Sequence, residues 1–434
     1  MIIEKIKLDG YRNIIDTTIK FANITALIGI NNYGKSNVLD CIDFAHKFIN
    51  APSNIKTMMM GSTSRLPINK VSANRDFLYE IEYLTSVDEK DYMVNYEFSF
   101  EWIKDNDQGS RIKHEQLKIK ENLPGNKYTV YLKRDIEGCF YKSSPQGRVT
   151  TKLNVEANEL TINKLMFYDD LYYLALIKQL NNIVFDFNEF YDVNGNFSEI
   201  PIELKIMENS CIEPFNGNLP GNISKAVYLL KDKYPDKYEL LVNSFQTLVP
   251  SVEYIDVVSI DYKGDMKLIN EEDVPFRIVD KIYRMRVKEK YNNQSIDFNR
   301  LSNGTKRIFI ILASAIMAEI NNVSLVTFEE PENCIHPSLF QQLLIILTGI
   351  IKQCRILVTS HSPYLIQYLE LDRIYIGIPS QEGVAEFKRV KKSAYKSLYK
   401  HAEEENMSLG DYIFDMLLES YAGNSSLNSL LESD

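Results

Sequence analysis

The chain has 434 residues, of which 45% are hydrophobic and 25% are charged, a composition typical of a folded globular protein. Its 49 Lys and Arg residues against 59 Asp and Glu residues give a net charge of -10, which excludes a histone-like basic coat and leaves room for a local basic groove. The longest apolar stretch, residues 308–318, is shorter than the roughly 20 residues that cross a bilayer. Since the N-terminus also lacks the pattern of a secretory signal, the sequence predicts a cytoplasmic protein without membrane contact.

The first fifty residues predict three short strands followed directly by a helix. Apolar residues mark strands at 3–9, 17–21 and 23–29, with turn-like sequence between them. From residue 35 the apolar positions change to helical spacing and form one core-facing stripe. The stripe consists of Val38, Leu39, Ile42, Ala45 and Ile49. The sequence therefore predicts a strand, a turn and a helix in immediate succession.

The remaining chain alternates between β-rich and helical patterns. Residues 77–153 show the period-two alternation and the Gly- and Pro-containing turns of a meandering antiparallel sheet. Residues 160–249 are richer in helical periodicity, which we interpret as a helical insertion. Strand patterns return after residue 254 and are followed by two helices and by apolar strands at 324–330 and 355–360. This last part indicates α/β architecture.

The turn between the third strand and the helix carries a phosphate-binding motif. Residues 29–36, GINNYGKS, fit G-x-x-x-x-G-K-S in the strand–turn–helix context that the motif requires. The loop N–H groups can surround a phosphate, Lys35 can reach the β- and γ-phosphates, and the Ser36 hydroxyl can hold Mg²⁺. A chance glycine-containing turn would not need a lysine followed by a hydroxyl. The candidate nucleotide contacts are Asn31, Asn32, Gly34, Lys35, Ser36 and Asn37.

An acidic strand end supplies candidate catalytic carboxylates. The apolar run 325–328 ends in Glu329 and Glu330, and strands of open α/β sheets deliver such residues to the ligand-binding crevice. Glu329 is the candidate for the Mg²⁺ shell, and Glu330 is the candidate for orienting and deprotonating the attacking water. Alone, this strand end would be interpreted as a solvated acidic pair; the phosphate-binding motif favours the catalytic interpretation.

Two further segments complete the candidate site. His361 follows the strand 355–360 and can donate to the γ-phosphate or the catalytic water; in isolation, a strand-end cap is the commoner explanation. Ser302 is expected to cap a helix whose free N–H groups form a second anion site, and Gly304 permits close backbone approach. In isolation, this segment is an ordinary N-cap.

The order of these four pieces resembles the ABC-type ATPases of the SMC, RecF and OLD group. The strings LSNGTKR, FEEPENCIHP and TSHSP are most similar to the OLD-like class called AAA ATPase family 15, found in anti-phage systems such as Gabija, Septu and PARIS. The motifs lie in residues 1–50 and 296–375. The resemblance implies an α/β fold: an ABC-type ATPase head with a mixed central sheet, an antiparallel β subdomain and a helical insertion.

We therefore expect four parts along the chain. Residues 1–160 form an N-terminal ATPase lobe with the phosphate loop and the antiparallel sheet. Residues 161–250 are the helical insertion. Residues 251–380 form a C-terminal ATPase lobe with the L-S-x-G segment, the acidic strand and the switch histidine. Residues 381–434 are a C-terminal extension.

In this group of ATPases, two subunits face each other across each ATP. The resemblance implies a homodimer or higher homo-oligomer that binds ATP and Mg²⁺ and hydrolyses ATP. The residues implied to act from one subunit are Lys35, Ser36, Glu329, Glu330 and His361. Those implied to act from the other subunit are Ser302 and Gly304, and Asn303 between them is a further candidate nucleotide contact. Each site is then composite.

Some positions depart from the group's pattern or are matched only loosely. The common ABC signature has glycine where this chain has Asn303, and the usual metal-shell aspartate is Glu329 here. Arg12 and Asn13, in the turn after the first strand, align with a position that often touches nucleotide in these families. An exposed turn pair is the alternative for these two residues.

Missing features narrow the expected function. OLD nucleases carry a Toprim domain with a D-x-D metal site, for which the sequence after His361 is too short; the D-x-D string at residues 105–107 fits a hairpin turn. We therefore predict an ATPase without a nuclease site of its own. The favoured hypothesis is a sensor or scaffold subunit of an anti-phage defence system, which controls a separately encoded nuclease or toxin and responds to duplex DNA or a phage protein. The alternative is a RecF-like DNA-binding repair ATPase.

Two basic stretches are candidate DNA contacts. Alternate residues of one predicted strand share a sheet face and could follow phosphates. They are Arg284, Arg286, Lys288 and Lys290. The second group is Lys388, Arg389, Lys391, Lys392 and Lys396. A solvated face is the commoner explanation of such patterns.

Overall fold

The structure is a computed structural model that describes residues 1–67, 69–104, 111–188, 193, 195–197, 202–204, 222–261, 276–278, 281–378, 382–421 and 426–432. The chain divides into two compact units. Residues 1–185 and 355–434 form the first unit, and residues 186–354 form the second. The assignment of the four expected stretches to lobes, insertion and extension stays a prediction.

The elements alternate in type along the chain. The strands are β1 (Ile2–Asp9), β2 (Thr17–Lys20), β3 (Ile24–Ile28), β4 (Phe77–Val87), β5 (Lys90–Glu101), β6 (Arg111–Glu121), β7 (Thr129–Asp135), β8 (Gly138–Lys142), β9 (Val149–Leu153), β10 (Phe185–Asn188), β11 (Ile202–Leu204), β12 (Val252–Asp261), β13 (Phe276–Ile278), β14 (Lys281–Glu289), β15 (Ile296–Asp297), β16 (Leu325–Glu329), β17 (Arg355–Ser360), β18 (Ile374–Gly377) and β19 (Phe387–Arg389). The helices are α1 (Lys35–Asn50), α2 (Ser53–Met60), α3 (Thr161–Leu165), α4 (Leu174–Lys178), α5 (Asn222–Lys233), α6 (Pro235–Leu248), α7 (Asn303–Ile320), α8 (Pro337–Ile350), α9 (Tyr364–Tyr368), α10 (Tyr395–Glu404) and α11 (Leu409–Tyr421).

An antiparallel sheet of eight strands dominates the first unit. Its order is β2-β1-β4-β5-β6-β7-β8-β9, and β4 pairs with β5 from Phe77 opposite Phe100 to Val87 opposite Lys90. Alternate residues of β4 are buried and half-buried, because successive side chains of a strand point to opposite faces. The predicted antiparallel meander is confirmed.

Helix α1 packs against the aromatic inner face of this sheet. All five residues of the predicted apolar stripe are buried. The ring centroid of Phe44 lies 5.2 Å from that of Phe77 on β4, and the centroid of Phe48 lies 4.9 Å from that of Phe100 on β5. Burying each such side chain contributes about 1.5–3 kcal/mol. This packing fixes the N-terminus of α1, where the phosphate-binding motif lies.

The first unit also contains part of a mixed sheet. Strands β17, β3, β18 and β19 lie side by side in that order; β17 and β18 pair in parallel with β3, and β19 is antiparallel to β18. All five residues of β3 are buried. The carboxyl ends of β3 and β17 meet at one edge, the usual ligand-binding edge of an open α/β sheet.

The second unit surrounds the apolar helix α7. Phe309 of α7 packs against Phe298 and Phe245, with ring centroids 4.6 Å and 5.1 Å away. The apolar stretch of the sequence is thus the core of this unit. Across the described residues, no helix has both the length and the hydrophobicity that crossing a membrane requires. The predicted fold class, α/β with a mixed sheet, an antiparallel sheet and inserted helices, is confirmed.

A buried carboxylate joins the antiparallel sheet to α3. Glu115 of β6 is fully buried and accepts hydrogen bonds from the backbone N–H groups of Thr161, at 2.6 Å, and Ile162, at 2.9 Å. The Tyr96 hydroxyl donates to the same carboxylate at 3.0 Å. Three donors therefore depend on one side chain, which the sequence analysis did not single out.

We expect Glu115→Ala to lower the free energy of unfolding by about 2–4 kcal/mol, because it leaves buried donors without an acceptor. Glu121→Ala is the matched control. Glu121 ends the same strand, is half-exposed and lies 3.7 Å from Lys90, a long distance for an ion pair. Its loss should therefore lower the free energy of unfolding by about 0.5 kcal/mol or less. Urea unfolding monitored by circular dichroism measures both. Equal midpoints for the two variants would contradict the assignment.

Candidate phosphate-binding site

The phosphate-binding loop runs from the end of β3 to the start of α1. Asn32 and Gly34 have left-handed backbone angles, with φ of 61° and 123°. A Cβ on Gly34 would lie 2.9 Å from the Cβ of Ala385 and 3.0 Å from the Oδ1 of Asn13. Both the backbone angle and the lack of space therefore require glycine at position 34.

Lys35 is folded back over this loop. Its side chain is buried, and its Nζ donates to the carbonyl oxygens of Gly29, at 2.9 Å, and Ile30, at 3.0 Å. The ammonium group thus lies over the loop that bends around it. Phosphate oxygens are stronger acceptors for this cation than neutral carbonyl groups.

The N-terminus of α1 is open to an anion. No side chain among the described residues caps it, and its first turn contains no acidic residue. Ser36 in that turn is exposed, as are Asn31 and Asn32 in the loop. The N–H groups at the start of a helix and the positive end of its dipole favour a bound phosphate. This set of donors fits a nucleoside triphosphate.

Arg12 and Asn13 contact the loop and the first turns of α1. The Nδ2 of Asn13 donates to the carbonyl oxygen of Tyr33 at 3.1 Å, and its Oδ1 accepts from the Nδ2 of Asn37 at 2.7 Å. The Nη1 of Arg12 donates to Asn37 at 2.7 Å and to Asp40 at 2.5 Å. The predicted pair therefore lies at the loop, where it holds Asn37 in place.

His361 lies at the same sheet edge as the loop. Ser360, the last residue of β17, pairs with Ile28, the last residue of β3. The Gly29 N–H donates to the carbonyl oxygen of Ser360 at 3.3 Å. His361 and the phosphate-binding loop therefore follow neighbouring parallel strands at one edge of the sheet.

In the second unit, Glu330 follows β16 in a constrained turn. Its backbone is left-handed, with φ of 46°. The Nδ2 of Asn333 donates to the Oε2 of Glu330 at 2.8 Å, and the Nη1 of Arg307 donates to its carbonyl oxygen at 2.7 Å. Sequence reasoning missed Asn333 and Arg307, although both lie inside the strings EEPEN and LSNGTKR. Together they orient the candidate general base.

Ser302 caps α7, as predicted. Its Oγ accepts from the Thr305 N–H at 3.2 Å, and both Ser302 and Asn303 are exposed at the start of the helix. A Cβ on Gly304 would overlap the carbonyl oxygen of Cys334. The close approach that requires glycine is therefore made by the chain's own turn after β16, in addition to any approach by an anion.

The predicted site residues fall into two groups. The structure brings together in the first unit Arg12, Asn13, Asn31, Asn32, Gly34, Lys35, Ser36, Asn37 and His361. The second unit holds Ser302, Asn303, Gly304, Glu329 and Glu330. The D-x-D string at residues 105–107 lies outside the described residues. Within the described ranges, no three His, Cys, Asp or Glu residues cluster as a metal cage.

The basic candidates are engaged in local contacts. On β14, Arg286 donates to the carbonyl oxygen of Ser295 at 3.0 Å, and Lys288 donates to that of Asn292. Near the C-terminus, Arg389 pairs with Glu432 at 3.1 Å. This ion pair favours a structural role for Arg389. Arg286 remains exposed on the outer face of its sheet.

A comparison with known protein families agrees with the motifs. The profile of the family described as AAA ATPase domain matches residues 1–366. No curated protein matches significantly. Three solved SMC heads are similar. One is bound to the C-winged helix domain of ScpA, with 13% identity, coverage of 91% of this chain and 100% of that chain, and a TM-score of 0.49. The head domain from Thermotoga maritima has 12% identity, coverage of 90% and 100%, and a TM-score of 0.40, and a head with an extended coiled coil bound to the C-terminal domain of ScpA derived from Pyrococcus furiosus has 12% identity, coverage of 93% and 99%, and a TM-score of 0.43.

Proposed function

Because the chain belongs to the AAA ATPase domain family, we propose that it binds ATP with Mg²⁺ at residues 29–36 and hydrolyses it. The observation that carries this proposal is the buried Lys35 ammonium, held by two loop carbonyls beside the uncapped N-terminus of α1. A triphosphate can take over both the ammonium and the helix N–H groups.

Each site residue has a separate chemical task. Lys35 binds the β- and γ-phosphate oxygens. Ser36 and Glu329 would hold Mg²⁺, which would neutralise phosphate charge. Glu330 accepts a proton from the attacking water at its carboxylate. His361 donates a hydrogen bond to the γ-phosphate or to that water. Asn13 and Asn37 hold the phosphate-binding loop and α1 in fixed relative positions.

We also propose that the complete site is formed by two copies of the chain. Ser302 and Asn303 are exposed at the start of α7, which leaves them accessible to a neighbouring subunit. With Gly304, they supply the second anion-binding helix end to the ATP of the partner. A two-fold dimer then contains two equivalent ATP sites, and larger homo-oligomers can be built from such dimers.

In the cell, we propose a sensor or scaffold subunit of an anti-phage defence system. The support is the similarity of LSNGTKR, FEEPENCIHP and TSHSP to the OLD-like class. A separately encoded nuclease or toxin would bind one nucleotide state and be released when a phage product or falling ATP favours the other, which requires different affinities for the two states. Native mass spectrometry of protein purified from its host with ATP tests this. A homo-oligomer with a stoichiometric effector is expected, and a partnerless monomer would contradict it.

A RecF-like ATPase that binds duplex DNA is the second candidate. The exposed Arg286 on the outer face of the β12-β14-β15 sheet favours it, because a basic sheet face can follow phosphates. The ATP hydrolysis rate with and without duplex DNA separates the two functions. Stimulation that Arg286→Glu removes, and that Lys237→Glu on the exposed side of α6 leaves intact, would favour DNA. A rate indifferent to DNA would favour the protein-gated sensor.

A further inference from the structure

The phosphate-binding loop is braced by a hairpin outside the matched family region. The family match ends at residue 366, whereas β18 and β19 form a hairpin later in the chain. Strand β18 pairs in parallel with β3, with Ile376 opposite Ile28. Its last residue, Gly377, therefore lies beside Gly29, where the loop begins. The hairpin and the loop share one sheet edge.

The aromatic ring of Tyr33 docks from the loop onto this hairpin. Although Asn32 beside it is exposed, Tyr33 is only 7% exposed. Its ring meets the ring of Phe387 edge-on, at a centroid distance of 5.5 Å. A Cβ on Gly377 would lie 2.5 Å from the Tyr33 ring. A side chain at position 377 would overlap the Tyr33 ring, so the hairpin can pack against this ring only with glycine there.

The Tyr33 hydroxyl bridges the two strands of the hairpin. It donates to the carbonyl oxygen of Ile378, after β18, and accepts from the Glu386 N–H, before β19, at 3.1 Å. Burial raises the pKa of Tyr33 to about 12, so the hydroxyl remains a donor at neutral pH. The carbonyl group of Ile378 and the N–H group of Glu386 therefore both bond to a side chain from the phosphate-binding loop.

A second set of contacts joins the same hairpin to the turn at residues 13–15, which lies beside the loop. The Ala385 N–H donates to the carbonyl oxygen of Asn13 at 2.7 Å, and the Ile15 N–H donates to the carbonyl oxygen of Ala385 at 3.1 Å. The Ala385 side chain fills the space that a side chain on Gly34 would need. The hairpin thus binds Tyr33 directly and, through Ala385, approaches Gly34 closely.

We propose that Tyr33 is a positioning residue, which locks the phosphate-binding loop in its nucleotide-ready shape by anchoring it to the hairpin β18–β19. Tyr33 lies between two left-handed residues, Asn32 and Gly34, whose backbone angles direct the loop N–H groups. Pinning the residue between them removes alternative loop shapes before ATP arrives, and such preorganisation raises affinity. This inference rests on the proposed ATP site.

The test compares two tyrosine variants of the full chain. Tyr33→Phe keeps the ring and removes the hydrogen bonds of the hydroxyl to Ile378 and Glu386. Tyr375→Phe is the matched control, because the Tyr375 hydroxyl on the same β18 also bonds to backbone, accepting from the Lys20 N–H at 2.6 Å, but away from the loop. Hydrogen exchange of residues 30–36 without nucleotide, ATP affinity, and the split between KM and kcat are measured for both.

We expect Tyr33→Phe to speed exchange of the loop and to raise the Kd and KM for ATP about fivefold, since the apparent Kd rises as the competent fraction falls. Its kcat stays within about twofold, because the contact holds the ground and transition states equally. Tyr375→Phe should match the native protein in all three. Loop exchange and KM equal to those of Tyr375→Phe would overturn the inference. Failure of the native chain to bind ATP would overturn the proposed function, while the exchange comparison still decides the role of Tyr33.

Discussion

Lys35→Ala is expected to weaken ATP binding by at least about 100-fold and to abolish hydrolysis. The ammonium group is the buried cation of the loop, with its Nζ 2.9 Å from the Gly29 carbonyl oxygen, so its loss removes the charge-assisted contacts to two phosphates. Equilibrium titration with a fluorescent ATP analogue measures the binding, and phosphate release measures the turnover.

Lys47→Ala is the control for this prediction. Lys47 lies on the last turn of the same helix, its side chain is 62% exposed, and it pairs with Asp43, four residues earlier, at 2.6 Å. We expect native affinity and turnover from this variant, because exposed pairs contribute little. ATP binding by Lys35→Ala at native strength would show that residues 29–36 do not hold the triphosphate.

Glu330→Gln should lower kcat by about 10³-fold and leave ATP affinity within a few-fold of native. An amide of the same shape can still accept the hydrogen bond from Asn333, which is 2.8 Å long, so the turn is retained. It cannot accept a proton from the attacking water, and the loss of a general base costs about 10²–10⁴-fold. Single-turnover hydrolysis together with ATP titration separates the two effects.

Glu332→Gln tests whether the effect belongs to one carboxylate. Glu332 lies in the same turn, two residues later, and is buried. Because no catalytic task falls to it, its amide variant should turn over ATP at a rate close to native. Equal losses of hydrolysis rate in both variants would indicate that the net charge of the turn matters rather than one carboxylate. Full activity of Glu330→Gln would show that another residue is the general base.

Much of the first unit follows from local patterns. The stripe from Val38 to Ile49 predicts α1 because its spacing is helical, and the buried strand β3 before it places the phosphate-binding motif. The alternation in residues 77–153 predicts the antiparallel sheet for the same reason. Such signals lie within short windows of sequence, so a single chain is enough to find them.

The parts that escaped prediction depend on residues far apart in the chain. Tyr33 occupies a variable position of its motif, and its partners Ile378 and Glu386 lie more than 340 residues later. Helix α2, which buries Lys56, also lacks an apolar stripe long enough to predict the helix from sequence. These features are set by tertiary packing, which periodicity does not encode.

Mixing two inactive variants shows whether ATP is hydrolysed between two copies of the chain, as we propose. Lys35→Ala removes the phosphate-binding side of each site, and Ser302→Arg blocks the opposing helix end. A mixed dimer contains one site with both defects and one site with neither. Random mixing of equal amounts should restore about a quarter of the native rate. A mixture that remains as inactive as its components, although native mass spectrometry shows mixed dimers, would contradict the shared site.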